Sequence, residues 1–354
     1  MGVLWSHCFI FLVLMVPLSL SSRHSRDFRK DQWESTDFIW NIGIVSLCDK
    51  GPEEKPSGFF DNEDSPFFNE EAYKNIQSGD IVWVKCRFIG QFYERVLPET
   101  KGPFVLVISG GDESFPSQCG LSLEQLEKFL LHKNIVHVFA QNCDFEGTHP
   151  KISHLPIGLD FHTIAYKGIR GGWGEIGSPQ QQEFKLKQII ELSAPTHLRK
   201  KRAFVDFQFS DSMHGEHKRY LQFGEDRTSI FNRLRSTGLI DYGPWMRRSE
   251  LWKTKVQYAF SISPHGNGLD CHRTWEDLVL GCIVVVKTSS LDPLYEGLPV
   301  VIVQDWSEVT AENMDRWFEL YKDASTWPTY REKLTHRYWI EKIRAAALPY
   351  KAVL

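Results

Sequence analysis

The chain has 354 residues, of which 42% are hydrophobic, enough for two domains that each bury a core of their own. Its 41 basic and 45 acidic residues give a formal net charge of −4. A general nucleic-acid binder needs a strongly basic surface, so this near balance argues against nucleic acid as a partner.

The first twenty residues include a nearly continuous apolar run over 9–18, followed by small residues. This run has the length of a secretory h-region and is short for a membrane span, which takes about 20 residues. Residues 1–22 are therefore predicted to be a cleaved signal peptide or an uncleaved signal-anchor, and the sequence leaves both open. Either form places the protein in the secretory pathway, in the Golgi or ER lumen as a type II membrane-anchored protein, or outside the cell.

One of the seven cysteines, Cys8, lies in this leader. The other six are an even number, which permits disulfides in a secretory chain without fixing their pairing. No two cysteines have the C-x-x-C spacing, so a zinc ribbon or a thioredoxin-type site is not expected.

Short runs of β-branched and aromatic residues predict four strands in the first half of the chain, over 42–47, 81–85, 104–109 and 135–140. A helix is predicted over 121–132, because Ser122 and Gln125 stand at capping-box spacing. The alternation of strands and helices predicts a parallel, doubly wound sheet. Residues 38–160 are the predicted N-terminal Rossmann-like domain.

A glycine cluster within 168–177 and a helix over 180–192 form a predicted hinge and linker, residues 161–200. A second series of strands and helices begins at Arg202. The predicted parts that follow are a second Rossmann-like domain over 201–310 and a helical tail over 311–354. The fold class is therefore α/β, with two doubly wound domains that face each other across a cleft.

The strongest functional signal lies in residues 258–306. They read as a strand, a loop with glycines, a helix and two further buried strands. This order places backbone N–H groups and side chains at the edge of a sheet, where α/β proteins bind phosphorylated ligands.

Within this stretch, Pro264 ends the first strand because proline lacks a ladder donor. Gly266 and Gly268 permit a tight turn and close approach of the backbone to a ligand. Asp270 is the predicted N-cap of a helix over 271–280.

His272, Arg273 and Glu276 fall in the first turn and a half of that helix. Arginine adds a full charge in a fixed fork to the positive end of the helix dipole, and Glu276 is placed to accept hydrogen bonds from a ribose diol. Arg273 and Glu276 also have the spacing of an ordinary surface ion pair. The loop before them and the strands after them favour the functional interpretation.

These motifs resemble those of the exostosin-like glycosyltransferases, which are GT-B enzymes. The shared pattern is a Pro-x-Gly-x-Gly loop, an Arg-x-Trp-Glu helix and Gly-Cys-Ile before a valine-rich strand. His149-Pro150-Lys151, followed by the run over 155–160, resembles the family's segment at the domain crossover. The helix over 271–275 is more weakly similar to that of fucosyltransferases. The resemblance covers roughly residues 100 to 320.

The resemblance implies transfer of a hexosyl or related sugar from a nucleotide-sugar, with a preference for UDP-sugars and for inversion, to a hydroxyl of a glycan or glycoconjugate, as in polysaccharide biosynthesis. The helix that begins at Arg227 resembles one that places a basic residue near the diphosphate. The predicted donor-binding residues are His265, Gly266, Asn267, Gly268, Asp270, Arg273, Glu276, Arg227 and Lys287.

An inverting transferase needs a base that removes the proton of the acceptor hydroxyl. Asp112 and Glu113 follow the strand over 104–109, so they lie at the predicted edge of the first sheet. Both residues also fit a turn with a helix cap. His149 is the third candidate.

No D-x-D triplet occurs, which disfavours a GT-A enzyme whose paired carboxylates hold a divalent ion on the diphosphate. We therefore expect no metal and no cofactor besides the nucleotide-sugar co-substrate. The competing interpretations are a catalytically inactive GT-B-like protein that binds a carbohydrate or a protein partner, and a nucleotide-sugar epimerase.

Overall fold

The computed structural model describes residues 36–46, 48–51, 68–167, 174, 177–207 and 222–351. The predicted leader, residues 1–22, lies outside them, as do 168–173 and 175–176 of the glycine cluster. None of the described helices combines the length and the apolar character needed to cross a membrane.

The first sheet has four parallel strands in the order β1-β2-β3-β4. They are β1 Ile81–Val84, β2 Phe104–Ile108, β3 Ile135–Ala140 and β4 Ile152–His154. The helices of this part are α1 Asn41–Val45, α2 Ile89–Arg95 and α3 Leu123–Leu131. Every residue of β1 and β2 is buried, as expected for strands covered on both faces.

The capping box predicted for α3 is confirmed. Ser122 Oγ accepts a hydrogen bond from the backbone N–H of Gln125, and Gln125 Oε1 accepts one from the backbone N–H of Ser122. Three of the four strands predicted in this half are also present, over nearly the predicted residues.

The strand predicted over 42–47 is wrong, because Asn41–Val45 form α1. Ile42 and Ile44 are buried in the core as a strand would bury them, but the helix packs against His336 of the C-terminal tail. A Cβ at Gly43 would lie 2.1 Å from His336 Nε2. This long-range contact overrides the local preference of β-branched residues for strand.

The second sheet has five parallel strands in the order β6-β5-β7-β8-β9. They are β5 Lys200–Val205, β6 Ile240–Tyr242, β7 Tyr258–Ile262, β8 Ile283–Lys287 and β9 Val300–Val303. The helices before and between them are α4 Phe161–Lys167, α5 Pro179–Glu191, α6 Arg227–Ser236, α7 Arg248–Lys255 and α8 His272–Val279. β6 pairs with one side of β5, and the chain then adds β7, β8 and β9 on the other side. The junction of β5 and β7 is therefore its topological switch point, where α/β sheets bind ligands.

The predicted helical tail is present as three helices, α9 Ala311–Tyr321, α10 Pro328–Lys333 and α11 His336–Ala347. Short 3₁₀ helices occur at Glu70–Tyr73, Cys86–Phe88, Leu97–Glu99, Thr196–Leu198, Asp292–Tyr295, Trp306–Glu308, Ala324–Thr326 and Leu348–Tyr350. Trp339 and Ile343 of α11 share one hydrophobic core with Val105 of β2 and Phe139 of β3. The tail thus returns to pack on the first sheet.

The carboxyl ends of the two sheets face each other. The backbone N–H of Asp270, after β7, donates to Asn142 Oδ1, after β3, at 2.9 Å. Ser290 Oγ, after β8, donates to the carbonyl of Cys143 at 2.8 Å. The predicted fold class is confirmed: the protein is α/β, with two parallel, Rossmann-type sheets opposed at their carboxyl edges in a GT-B-like arrangement.

All six cysteines of the described residues carry free thiols. Burial raises the pKa of each of them, for example to about 11 at Cys143 and to about 12 at Cys282. These thiols therefore stay protonated near neutral pH and are poor nucleophiles.

A buried group of charges supports the second sheet. Lys255 Nζ of α7 lies 2.6 Å from Asp277 Oδ1 and 2.7 Å from Asp206 Oδ2, and Asp277 also accepts a hydrogen bond from the hydroxyl of Ser261. Burial disfavours the ammonium, but the two carboxylates outweigh it and raise the pKa of Lys255. Lys255 is thus the cation that compensates the buried carboxylate of Asp277 and the partly buried carboxylate of Asp206.

We predict that Lys255→Met lowers the free energy of unfolding by about 3–5 kcal/mol, because it leaves two buried carboxylates without their cation. Urea denaturation at pH 7 measures the change. Lys253→Met, on the same helix, is the control. Lys253 is exposed and, among the described residues, pairs with Glu250 alone, so its loss should change stability by less than about 0.5 kcal/mol. Equal effects of the two substitutions would contradict the role of Lys255.

Candidate functional site

The switch point of the second sheet carries an arginine. Asp206 and Phe207 follow β5, and Ser263 and Pro264 follow β7. Arg273, in the first turn of α8, donates from Nε to Ser263 Oγ at 3.2 Å and from Nη2 to the carbonyl of Pro264 at 2.9 Å. The side chain predicted to meet the diphosphate is therefore fixed at the place where such folds bind ligands.

The guanidinium of Arg273 keeps part of its donor capacity. It lies 5.7 Å from the centre of the Phe207 ring, and its Nε is 3.9 Å from Asp206 Oδ1, too far for a hydrogen bond. Nη1 donates to no residue that the structure describes. A fixed cation with an unused donor is suited to an anionic ligand.

A second arginine meets the same segment. Arg227, the first residue of α6, donates from Nε and Nη2 to the carbonyl of His265 at 3.0 and 2.7 Å. The carbonyls of consecutive residues, Pro264 and His265, thus hold two guanidinium groups. The positive charges of both groups attract an anionic ligand.

The glycine loop touches the first domain. A Cβ at Gly268 would lie 2.6 Å from Asn142 Nδ2 and 2.9 Å from the carbonyl oxygen of Asp112, and one at Gly266 would lie 2.8 Å from Cys271 Sγ. Neither glycine has a positive φ. The atoms that leave no room for a side chain at these two glycines are thus protein atoms. The sequence predicted instead that the backbone comes close to a ligand here.

The other two residues of this loop are held by their neighbours. The backbone N–H of His265 donates to Glu225 Oε2 at 2.8 Å, and its Nδ1 lies 2.9 Å from the carbonyl of Leu269. A carbonyl only accepts, so this nitrogen carries the ring proton. The carbonyl of Asn267 accepts from Gln222 Nε2 at 3.1 Å.

The predicted N-cap role of Asp270 is wrong. The helix α8 begins at His272, its N-cap is Cys271, and no side chain caps it. Asp270 lies one residue before the N-cap, and its carboxylate accepts hydrogen bonds from groups other than the N–H groups of the first turn.

Those partners are spread over three segments. Asp270 Oδ2 accepts from the backbone N–H of Ile157 at 2.8 Å, and both oxygens accept from Trp275 Nε1, at 3.0 and 2.8 Å. Oδ1 also accepts from the backbone N–H of Cys271 at 2.9 Å. Burial raises the pKa of Asp270 to about 6. This carboxylate connects the two domains and is fully occupied within the protein.

Glu276 is likewise engaged inside the protein. Its Oε2 accepts from Trp252 Nε1 at 3.2 Å, and its Oε1 lies 4.0 Å from Arg248 Nη1. Lys287, the last residue of β8, is partly exposed, and its side chain makes no hydrogen bond or ion pair with the described residues. Of the predicted donor ligands, the arginines and Lys287 are thus the groups that remain suited to phosphate.

The loop after β2 brings two of the three candidate bases to the glycine loop. The carbonyl of Asp112 faces Gly268. Glu113 Oε1 lies 2.7 Å from Arg87 Nη2, and its Oε2 is buried without a hydrogen bond among the described residues. This loop therefore contacts the glycine loop through the backbone of Asp112, while Glu113 pairs with Arg87 of the first domain.

His149 lies elsewhere. It lines a cavity of about 490 Å³ together with Trp339 and Lys342 of the tail, and its Nδ1 accepts from the backbone N–H of Lys151 at 3.1 Å. A larger cavity, of about 1170 Å³, is lined by residues of α5, α10 and α11 and by Gly281 at the start of β8. It therefore opens at the amino ends of the strands, away from the predicted site.

A polar cluster that the sequence motifs did not indicate lies at the domain crossover. His162 Nδ1 is 3.1 Å from Asp160 Oδ1, Arg248 Nη2 is 2.7 Å from Asp160 Oδ2, and the rings of His162 and His272 are 5.1 Å apart. Burial disfavours the charge of Asp160, but His162, Arg248 and His272 hold its pKa well below the usual range. The motifs contain Asp160 and His272 separately, but their contact was not predictable because His272 and Arg248 are distant from Asp160 in sequence.

No family model matches the chain, and no curated protein sequence is significantly similar to it. Solved structures with a similar fold include an Escherichia coli trehalose-6-phosphate protein bound to UDP-2-fluoroglucose, with 12% identity, a TM-score of 0.36 and coverage of 77% of this chain and 72% of that one. Another is the N-terminal domain of Candida albicans trehalose-6-phosphate phosphatase, with 13% identity and a TM-score of 0.39. The match covers 85% of this chain and 78% of that one. A UDP-forming trehalose-phosphate synthase of Burkholderia xenovorans shares 13% identity, with a TM-score of 0.34 and coverage of 92% and 86%. Similarities this distant do not establish shared site residues.

The raised pKa of Asp270 predicts a measurable pH dependence. The pKa of Asp270 is about 3.9 in the unfolded chain and about 6 in the folded protein. Between these two pH values the folded state therefore binds more protons than the unfolded state. The stabilising contribution of this group is complete below about pH 4 and is lost as the pH rises through about 6. Asp270→Asn removes the titration. We expect the stability of the native protein relative to this variant to fall between pH 4.5 and 7 in urea denaturation. Parallel pH curves would refute the shift.

Proposed function

We propose that the protein is a glycosyltransferase of the exostosin-like type, which transfers a sugar from a nucleotide-sugar, most specifically a UDP-sugar, to a hydroxyl of a glycan or glycoconjugate. The observation that carries the proposal is the pair of guanidinium groups, Arg273 and Arg227, fixed on the carbonyls of Pro264 and His265 at the switch point.

This pair fits the chemistry of glycosyl transfer. The nucleoside diphosphate is the leaving group, so negative charge grows on its oxygens in the transition state. Cations held in place beforehand stabilise that charge without reorganising, and their attraction is stronger in the transition state than in the ground state. The carbonyls of the loop provide this fixed arrangement.

The same pair accounts for a reaction without a metal on the diphosphate. In metal-dependent transferases a divalent cation neutralises the phosphates. Here Arg273, Arg227 and Lys287 supply positive charge at one edge of the sheet, and Asp206 near Arg273 and Glu225 beside His265 offset part of it.

The acceptor side is assigned to the loop after β2. Glu113 is the proposed base, because Arg87 holds one carboxylate oxygen while the other accepts no hydrogen bond among the described residues. Asp112 is its neighbour on the same loop. A base on the face opposite the leaving group gives inversion at the anomeric carbon. The predicted leader, as signal peptide or signal-anchor, supports a reaction in the lumen of the Golgi or ER or, if the protein is secreted, outside the cell.

One observation favours a second candidate, a GT-B-like protein that binds a carbohydrate or partner without catalysis. The carboxylates of Asp270 and Glu276, which the motif assigns to the ribose, are both engaged inside the protein. A relative that has lost donor binding would keep such contacts for stability alone. Nucleotide binding distinguishes the two candidates.

We predict that Arg273→Ala lowers affinity for the donor nucleotide by roughly 10- to 150-fold, because a charge-assisted contact of about 1.5–3 kcal/mol is lost. A thermal-shift screen against UDP, GDP, CMP and their sugar conjugates first selects the nucleotide, and titration calorimetry then compares the variants.

Arg233→Ala is the matched control. Arg233 lies on α6 like Arg227, but it is exposed and pairs with Asp305. Its removal should leave affinity unchanged. Affinity that survives in folded Arg273→Ala would show that the phosphates bind elsewhere, and a protein that responds to no nucleotide would support the non-catalytic candidate.

The base is tested separately from the donor site. We predict that Glu113→Gln lowers kcat for transfer by about 10²- to 10⁴-fold and leaves nucleotide affinity unchanged, because the base acts on the acceptor. Asp112→Asn and His149→Gln are the comparisons. A larger loss of kcat in either of them than in Glu113→Gln would move the base to that residue.

A further inference from the structure

We infer that Asp160, His162 and His272 form a binding site for a borderline divalent cation such as Zn²⁺. One ligand atom from each of the three residues lies within 4.8 Å of the other two, and the trio is the one such group of His, Cys, Asp or Glu in the described part of the chain. Around a tetrahedral zinc with bonds of about 2.0–2.1 Å, neighbouring ligand atoms lie roughly 3.4 Å apart. Small rotations of these side chains close the difference.

The surroundings of His272 prepare it as a ligand. Its Nδ1 lies 2.7 Å from the carbonyl oxygen of Gly158. A carbonyl only accepts, so Nδ1 carries the proton and the lone pair belongs to Nε2. Histidines that bind metals typically donate their other N–H to a carbonyl or a carboxylate, which fixes the tautomer and the ring orientation.

The net charge of the groups around the cluster is negative, which favours binding of a divalent cation. Asp160 and Glu276 contribute two negative charges and Arg248 one positive charge, so the group carries about −1 when the histidines are neutral. Arg248 Nη2 binds Asp160 Oδ2 at 2.7 Å, while Oδ1, which also accepts from the backbone N–H of Thr163 at 3.0 Å, faces His162. Arg248 repels a cation, and the negative charge of Glu276, 4.0 Å from Arg248 Nη1, partly cancels that repulsion.

The donor set selects the kind of metal. Two imidazoles and one carboxylate suit Zn²⁺ and its neighbours Fe²⁺, Co²⁺ and Ni²⁺, whereas Mg²⁺ and Ca²⁺ prefer oxygen ligands throughout. His162 is buried while Asp160 and His272 are partly exposed, so the trio offers a side from which an ion and a water ligand can enter.

This cation would connect the two halves of the protein. Asp160 and His162 stand at the end of the crossover segment, and His272 opens α8. The site is distinct from the diphosphate site, because Arg273 turns towards β5 and β7 while His272 turns towards Gly158. The absence of a D-x-D triplet concerns only a metal on the diphosphate.

The test is metal binding by the full lumenal chain, prepared without a histidine tag and stripped with a chelator. Co²⁺ is the probe, because it replaces Zn²⁺ and absorbs visible light. We expect one equivalent of Co²⁺ to give a visible spectrum that one equivalent of Zn²⁺ abolishes, and Zn²⁺ to raise the Tm in proportion to its concentration.

His272→Ala and His162→Ala should each weaken metal affinity by at least about 100-fold, since each removes one of three ligands. His197→Ala is the matched control. His197 is an exposed histidine 3.6 Å from Asp323, and its loss should change nothing. Circular dichroism confirms that each variant is folded.

Two results would overturn the site. One is a stripped protein that takes up no stoichiometric Co²⁺ or Zn²⁺. The other is binding that His272→Ala and His162→Ala reduce no more than His197→Ala does. Neither result bears on the glycosyltransferase proposal, whose test is nucleotide binding in the presence of chelator.

Discussion

The relation between the two sheets depends on the hydrogen bonds of one residue, Asp270. Its carboxylate accepts from Ile157 on the crossover and from Trp275 on α8, and its backbone N–H donates to Asn142 after β3. A carboxylate in a closed environment is costly unless its lone pairs are used. Because these partners come from both halves, the bonds that make the burial of Asp270 tolerable are the same bonds that bring the carboxyl edges of the sheets together.

The cations of the candidate site are organised by that contact. The loop between β7 and α8 is held at one end by Asp270 and at the other by Glu225, which accepts from the backbone N–H of His265. Its carbonyls at Pro264 and His265 therefore have fixed directions, and they orient Arg273 and Arg227. Backbone geometry set by the interface of the domains thus determines where positive charge is presented.

The sequence predicted most of the fold because its strands and the helix α3 have strong local signals, such as the capping box at Ser122. It failed at residues 42–47, where packing against His336, about 290 residues later, decides the structure. It placed Arg273 correctly in the first turn of a helix at the edge of a sheet, because the strand, loop and helix around it are contiguous. It misassigned Asp270 and could not find the cluster around Asp160, because the partners of those carboxylates are far apart in the chain.

The pKa values of Asp270 and Asp160, which both lie beside the start of α8, are shifted in opposite directions. Asp270 is surrounded by neutral donors, so burial raises its pKa to about 6. Asp160 faces Arg248, His162 and His272, and these partners lower its pKa although burial opposes the charge. Asp160 therefore keeps its charge across the physiological range, whereas Asp270 is close to gaining a proton in mildly acidic compartments. A carboxylate that pairs with an arginine keeps its charge, while a carboxyl group that can be neutral is suited to a buried joint between domains.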